Sequence, residues 1–147
     1  MKDAIKLSGH INFKLFDEAR NLKEERSIKN VVVTVGKEFL ADWLTQLTQT
    51  DPFMSFIGLG TGSTSATSAD TDLETSLPTR LQGTLSSIGT VWQNQVSFGP
   101  GINTGTITES GIFSDSTLGT MLARQTFTGI PKNSLDTLEV TWQITFA

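Results

Sequence analysis

Residues 137–146 read Thr137-Leu138-Glu139-Val140-Thr141-Trp142-Gln143-Ile144-Thr145-Phe146. Leu138, Val140, Trp142, Ile144 and Phe146 alternate with Thr137, Glu139, Thr141, Gln143 and Thr145 without an error. A period of two belongs to a pleated strand with one face in a core and the other in water. Each apolar member is worth ~1.5–3 kcal/mol once buried, so this strand alone contributes on the order of 10 kcal/mol gross. It is expected to be locked into the core.

The segments before it follow the same rule. Thr120 to Phe127 and Thr104 to Phe113 flank Ser114-Asp115-Ser116-Thr117-Leu118-Gly119, a hairpin connection. Val91 to Phe98 places Trp92, Val96 and Phe98 on one face and Gln93, Gln95 and Ser97 on the other, and Gly99-Pro100-Gly101 turns the chain. Arg80 to Ile88 and Met54 to Leu59 are shorter strands, and Val31 to Val35 is a β-branched run. Gly9 to Phe16 alternates, with Ile11, Phe13 and Leu15 on one side, and Leu22 to Ile28 returns after the polar turn Asp17 to Asn21. Being highly charged, this pair is expected to project as an arm. One helix interrupts the strands: from Lys37 to about Thr48, Phe39, Leu40, Trp43, Leu44 and Leu47 form a single apolar stripe that Asp51-Pro52 ends. The reading is mainly β: a single-domain antiparallel β-sandwich or barrel-like fold of seven to nine strands. It has one packed α-helix and an N-terminal β-hairpin arm, the arm spanning 1–29 and the sandwich 30–147.

The 147 residues suit one domain, and such a chain buries roughly 68–70% of its unfolded surface without help from metal or disulfide. Charged residues make up 18%, below the roughly 25% of an ordinary domain, and hydroxyl and amide side chains fill the difference. A net charge of −4 argues against nucleic acid, since Lys23, Arg26 and Lys29 are diluted by Glu24 and Glu25. No apolar run approaches the length of a membrane span, and no secretory leader is visible, so no membrane partner is expected and synthesis in the cytoplasm is.

Chemistry is hard to assemble from these residues. There is no cysteine, and the one histidine, His10, has no carboxylate at a suggestive spacing. Gly58-Leu59-Gly60-Thr61-Gly62 invites comparison with a phosphate loop, but Ser63 stands where the third glycine belongs and no Gly-Lys-Ser/Thr follows. Asp70, Asp72 and Glu74 could hold a hard cation, yet lack the glycine and distant glutamate of an EF-hand; acids at a helix start explain them as well. Thr71 and Glu74 fit a capping box opening a short helical turn to Leu77. Glu109, Asp115, Asp136 and Glu139 offer no pair at glycosidase spacing, and Trp43, Trp92 and Trp142 sit on apolar stripes suited to a core. No catalytic residue, metal or cofactor is expected, and no enzymatic activity. The small, hydroxylated stretch from Gly60 to Ala69 is expected to order only against a partner.

Four stretches in this order carry a resemblance: GHINFKLFDEARNLKEE from Gly9, NVVVTVGKEFLADWL from Asn30, FIGLGTGSTSATSADTDLETSLPTRL from Phe56, and ITESGIFSDSTLGTMLARQTFTGIPKNSLDTLEVTWQITF from Ile107. Together the chain resembles small virion proteins encoded among the structural genes of tailed bacteriophages. The resemblance implies a virion structural protein, most simply a capsid cement or decoration protein on the capsid surface. Its partners would be the major capsid protein and copies of itself, as a dimer or trimer. A tail, baseplate or fibre-adaptor component is the alternative, and a carbohydrate-binding β-sandwich module a further one. No repetitive fibre shaft is visible. The candidate contact residues are Ile11, Phe13, Leu15 and Phe16 on the arm, and Thr61, Ser63, Thr64, Thr67 and Thr71 on the hydroxyl-rich loop.

Overall fold

A computed structural model describes residues 4–45 and 53–147. The chain order is β1 (Leu7–Phe16), β2 (Leu22–Val32), α1 (Thr34–Trp43), β3 (Phe56–Gly60), β4 (Leu81–Gln82), β5 (Thr84–Ile88), β6 (Val91–Phe98), β7 (Gly105–Phe113), β8 (Met121–Lys132) and β9 (Thr137–Phe146). The strands form one antiparallel sheet in the order β4-β3-β7-β8-β2-β1-β9-β6-β5. The fold is mainly β, as the alternation predicts, and the sheet curls into a nearly closed barrel. Its two ends are β4 and β5, which only Gly83 separates in the chain. At that seam the Gly83 N–H donates to the Ser55 carbonyl at 2.7 Å, and Asn94 Nδ2 donates to the Met54 carbonyl at 3.2 Å.

The inward side chains fill the barrel with one apolar cluster. Leu138, Val140, Trp142 and Ile144 of β9 meet Ile11, Phe13 and Leu15 of β1, Val96 and Phe98 of β6, and Ile107 and Ile112 of β7. Trp142 has no exposed surface, and its indole N–H donates to Ser110 Oγ, whose own hydroxyl donates to the Gly58 carbonyl at 2.9 Å. The one polar atom of the largest core side chain is thereby satisfied.

Three expectations change. The hairpin of β1 and β2 forms, but it does not project: β1 lies between β2 and β9, paired along its length with both. Ile11, Phe13 and Leu15 are at most 1% exposed, so the charges of this hairpin mark its outer face only. The helix begins at Thr34, consuming the end of the valine run, and Leu44 of its stripe points to water at 81% exposure. Leu47 and the Asp51-Pro52 stop lie outside the described residues. The strand from Arg80 is broken at Gly83, its first part pairing with β3 and its second with β6.

Candidate functional site

Between β3 and β4 the chain leaves the barrel and lies over the outer face of β3, β7 and β8. The ends of this excursion are clipped together: the Thr61 N–H donates to the Thr75 carbonyl at 2.9 Å, and the Leu77 N–H to the Leu59 carbonyl at 2.9 Å. Leu73 is its apolar foot, packed with Phe113, Met121 and Val33 in a second small core outside the barrel. Compact loops of this kind, closed at the base and filled by their own side chains, are often functional surfaces.

The loop is organised from beneath by a carboxylate. Glu109, on β7, has no exposed surface. Its Oε1 accepts the N–H groups of Gly62 at 3.0 Å and Thr75 at 2.8 Å, while Oε2 accepts the N–H of Glu74 at 3.0 Å. Arg124, on the neighbouring strand β8, completes the shell, its Nε and Nη2 lying 3.0 and 2.9 Å from Oε2. The same guanidinium reaches Asp70 Oδ2 at 2.8 Å and the Thr64 carbonyl at 3.1 Å. One buried cation therefore holds the strand and the loop together, and every polar atom of the pair has a partner, which burial of charge requires.

Of Gly58-Leu59-Gly60-Thr61-Gly62, one N–H, that of Gly62, serves an anion, the chain's own Glu109. A Cβ on Gly60 would stand 2.4 Å from Glu109 Oε1 and 2.5 Å from the Thr75 carbonyl, so the backbone approaches the carboxylate only because no side chain intervenes.

The acids at 70–74 are also used internally. Asp70 accepts the Thr67 N–H at 2.9 Å besides Arg124; burial alone would raise its pKa, but these bonds outweigh it and hold it below the ordinary value. Glu74 accepts the N–H groups of Thr64 at 2.7 Å and Ser63 at 3.0 Å, and the Thr64 bond is the main reason its pKa is lowered. Asp72 accepts its neighbour's N–H and pairs with Arg80 at 3.2 Å. The capping box does not form: the Glu74 side chain reaches across the loop to residues 63 and 64 instead of back to Thr71, and no helical turn follows. Among the described residues, no group of three metal-ligating side chains is gathered.

What the loop shows outward is a row of small hydroxyls. Thr61, Ser63, Thr64, Thr67 and Thr71 are all exposed, although Thr67 also turns its hydroxyl onto Asp70. The loop does not wait for a partner to order it, because Glu109 and Arg124 already serve as its template. Of the residues expected on the arm, only Phe16 reaches the surface, half-buried beneath the Arg20 guanidinium 4.5 Å from its ring. Ile11, Phe13 and Leu15 belong to the core. Arg124 was not singled out by sequence, and Glu109 only as an unpaired acid; their single faint signal is that Glu109 is the one charge in β7 and Arg124 the one charge in β8 before its terminal Lys132. Trp92 and Trp43 line an apolar cavity of about 220 Å³ at the mouth of the barrel, together with Phe39, Phe53, Leu85 and Phe146. No protein-family model matches this chain, and no curated protein and no solved structure is significantly similar to it.

Proposed function

We propose that the protein is a structural component of a tailed-phage virion, a capsid cement or decoration protein that binds the major capsid protein and copies of itself. The observation that carries this reading is the preorganised loop. Its outward hydroxyl residues are small and neutral, and Glu109, Arg124 and Asp70 beneath them hold its shape, while the Asp72 and Glu74 carboxylates stay partly in water at the rim, 60% and 42% exposed. A loop whose backbone is already fixed lets a partner dock on its hydroxyls without first ordering the chain, which is where association otherwise loses free energy. The five exposed hydroxyl residues are the contact residues of this reading, with Phe16 at the C-terminal end of β1. Stabilisation of a capsid would follow from mass action: a protein that binds the mature lattice and not its precursor shifts the equilibrium toward maturity. The resemblance in the four stretches quoted above points the same way.

The test is to label the purified protein with gold and mix it with particles stripped of it. Regular labelling over the head, saturating at high copy number and lost in a Thr64→Arg/Thr67→Arg variant, is the expected result. Labelling confined to the tail would replace the capsid reading with a tail or baseplate component. Absence of labelling would overturn the virion reading and leave the glycan-binding module to be tested.

A further inference from the structure

The barrel closes incompletely at β5, and the chemistry of that edge specifies its partner. β5 and β6 are joined by the two-residue turn Gly89-Thr90, with Gly89 at a φ of +57° and Ile88 paired to Val91. In a two-residue hairpin the flanking pair exchanges both hydrogen bonds, and the bonded pairs then alternate. Ser86 with Gln93 and Thr84 with Gln95 are therefore the bonded pairs. Gly83, Leu85 and Ser87 turn their N–H and C=O groups the other way, toward the seam. Gly83 finds the Ser55 carbonyl there. Leu85 and Ser87 find no backbone partner among the described residues.

Proteins usually protect such an edge with a charge, a proline or a bulge. β5 has none of these. From Leu81 to Thr108 there is no Asp, Glu, Lys, Arg or His, although the whole chain carries a net charge of −4. Ile88, at the end of the edge, is 84% exposed. A neutral edge on an acidic protein is suited to another copy of itself, since two copies approach there without like charges meeting.

We propose that β5 pairs antiparallel with β5 of a second copy, about a two-fold axis through Ser86, joining two barrels into one continuous sheet. In that register Leu85 faces Ser87 of the second copy and Ser87 faces its Leu85. The four outward N–H and C=O groups on each side then meet their complements, giving four hydrogen bonds. Thr84 lies opposite Ile88 on the outer face, and the two Ser86 side chains meet at the axis. The interface is isologous and closes, so it yields a dimer and not a filament. This deepens the self-association in the proposed function and rests on it only for its purpose. Capsid attachment runs through a different surface, so either can fail alone.

Two variants of the full chain test it. Ser87→Pro removes an outward N–H that β6 does not use, a placement an edge strand tolerates. Ser86→Cys introduces a single thiol into a chain without cysteine, at the position that meets itself across the axis. The native protein at about 100 μM, where even an interface at the small end of the stable range is populated, should show by light scattering twice its 16.0 kDa mass. Ser87→Pro should return the mass to that of one chain. Ser86→Cys should form a disulfide-linked dimer under mild oxidation, at least tenfold faster than Thr141→Cys in the middle of the same outer face. A native protein of single-chain mass at that concentration would overturn the proposal. So would a Ser86→Cys protein that cross-links no faster than the control, whatever the fate of the proline variant.

Discussion

Glu109 and Arg124 are each enclosed by protein, so removing one leaves the other's charge buried and uncompensated. Breaking a buried pair in this way costs ~3–5 kcal/mol, well above the ~0–1 kcal/mol of an exposed ion pair such as Arg20 with Glu139. Arg124→Met, which keeps most of the volume, should therefore lower the urea-unfolding free energy by about 3–5 kcal/mol. It should also release the amides of Gly62, Ser63 and Thr64 to hydrogen exchange. A loss below about 1 kcal/mol would mean that the pair does not hold the loop. The surrounding carboxylates add a pH dependence whose sign follows from their shifts. Asp70 and Glu74 are lowered in the fold, as is Asp136, chiefly through the Lys23 ammonium 2.8 Å away. A depressed carboxylate stabilises above its unfolded pKa and loses that contribution as pH falls through the folded value. Stability should be level from neutral pH down to about 4.5 and then fall steadily toward pH 2, and the Ser63, Thr64 and Thr67 amide shifts should titrate with it. A flat profile over that range would contradict the hydrogen-bonded role of these acids.

At the scale of the element, α1 shows how packing overrules propensity. Gly36 is its buried residue, and a Cβ there would stand 2.6 Å from the Leu122 carbonyl oxygen and 2.7 Å from Leu122 Cα. Alanine is intrinsically better than glycine in a helix by about 1 kcal/mol. Forcing a methyl into backbone that cannot yield costs about 1–3 kcal/mol, so the net sign should be destabilising. Gly36→Ala should lower the thermal midpoint by several degrees, while Ala41→Gly on the exposed face should cost only its propensity; a rise for Gly36→Ala would show that the helix lifts freely off β8. The stripe of Phe39, Leu40 and Trp43 was legible because a period near 3.6 needs no knowledge of the neighbour. The start at Thr34 was not, because Val33 ends the strand by donating its N–H to the Leu122 carbonyl, a contact only the assembled sheet supplies.

The whole molecule depends on pairings between distant parts of the chain. β1 joins β2 to β9, and its Phe13 and Leu15 are enclosed by strands more than a hundred residues away. Deleting residues 1–29 therefore removes β1 and most of β2, leaving β9 without its neighbour, and should leave a product without a cooperative thermal transition and with dye-accessible apolar surface. A folded 30–147 fragment would contradict the central place of β1. High sequence separation of this kind also implies slow folding, in the millisecond-to-second range of β-barrels.

Alternation by itself determined β1, β6 and β9, the strand-rich class and the apolar face that these strands turn into the barrel, because a period of two is a local property of the chain that any half-buried sheet reproduces. The loop from Thr61 to Thr75 was the opposite case. Its own residues are too small and polar to specify a shape, and they take one from Glu109 and Arg124, which lie far along the chain on adjacent strands. The same holds for the hairpin of β1 and β2, whose surface charges suggested exposure while its inward residues filled the barrel. Which strands lie side by side is set by long-range registry and closure, and these exist only once the sheet has formed.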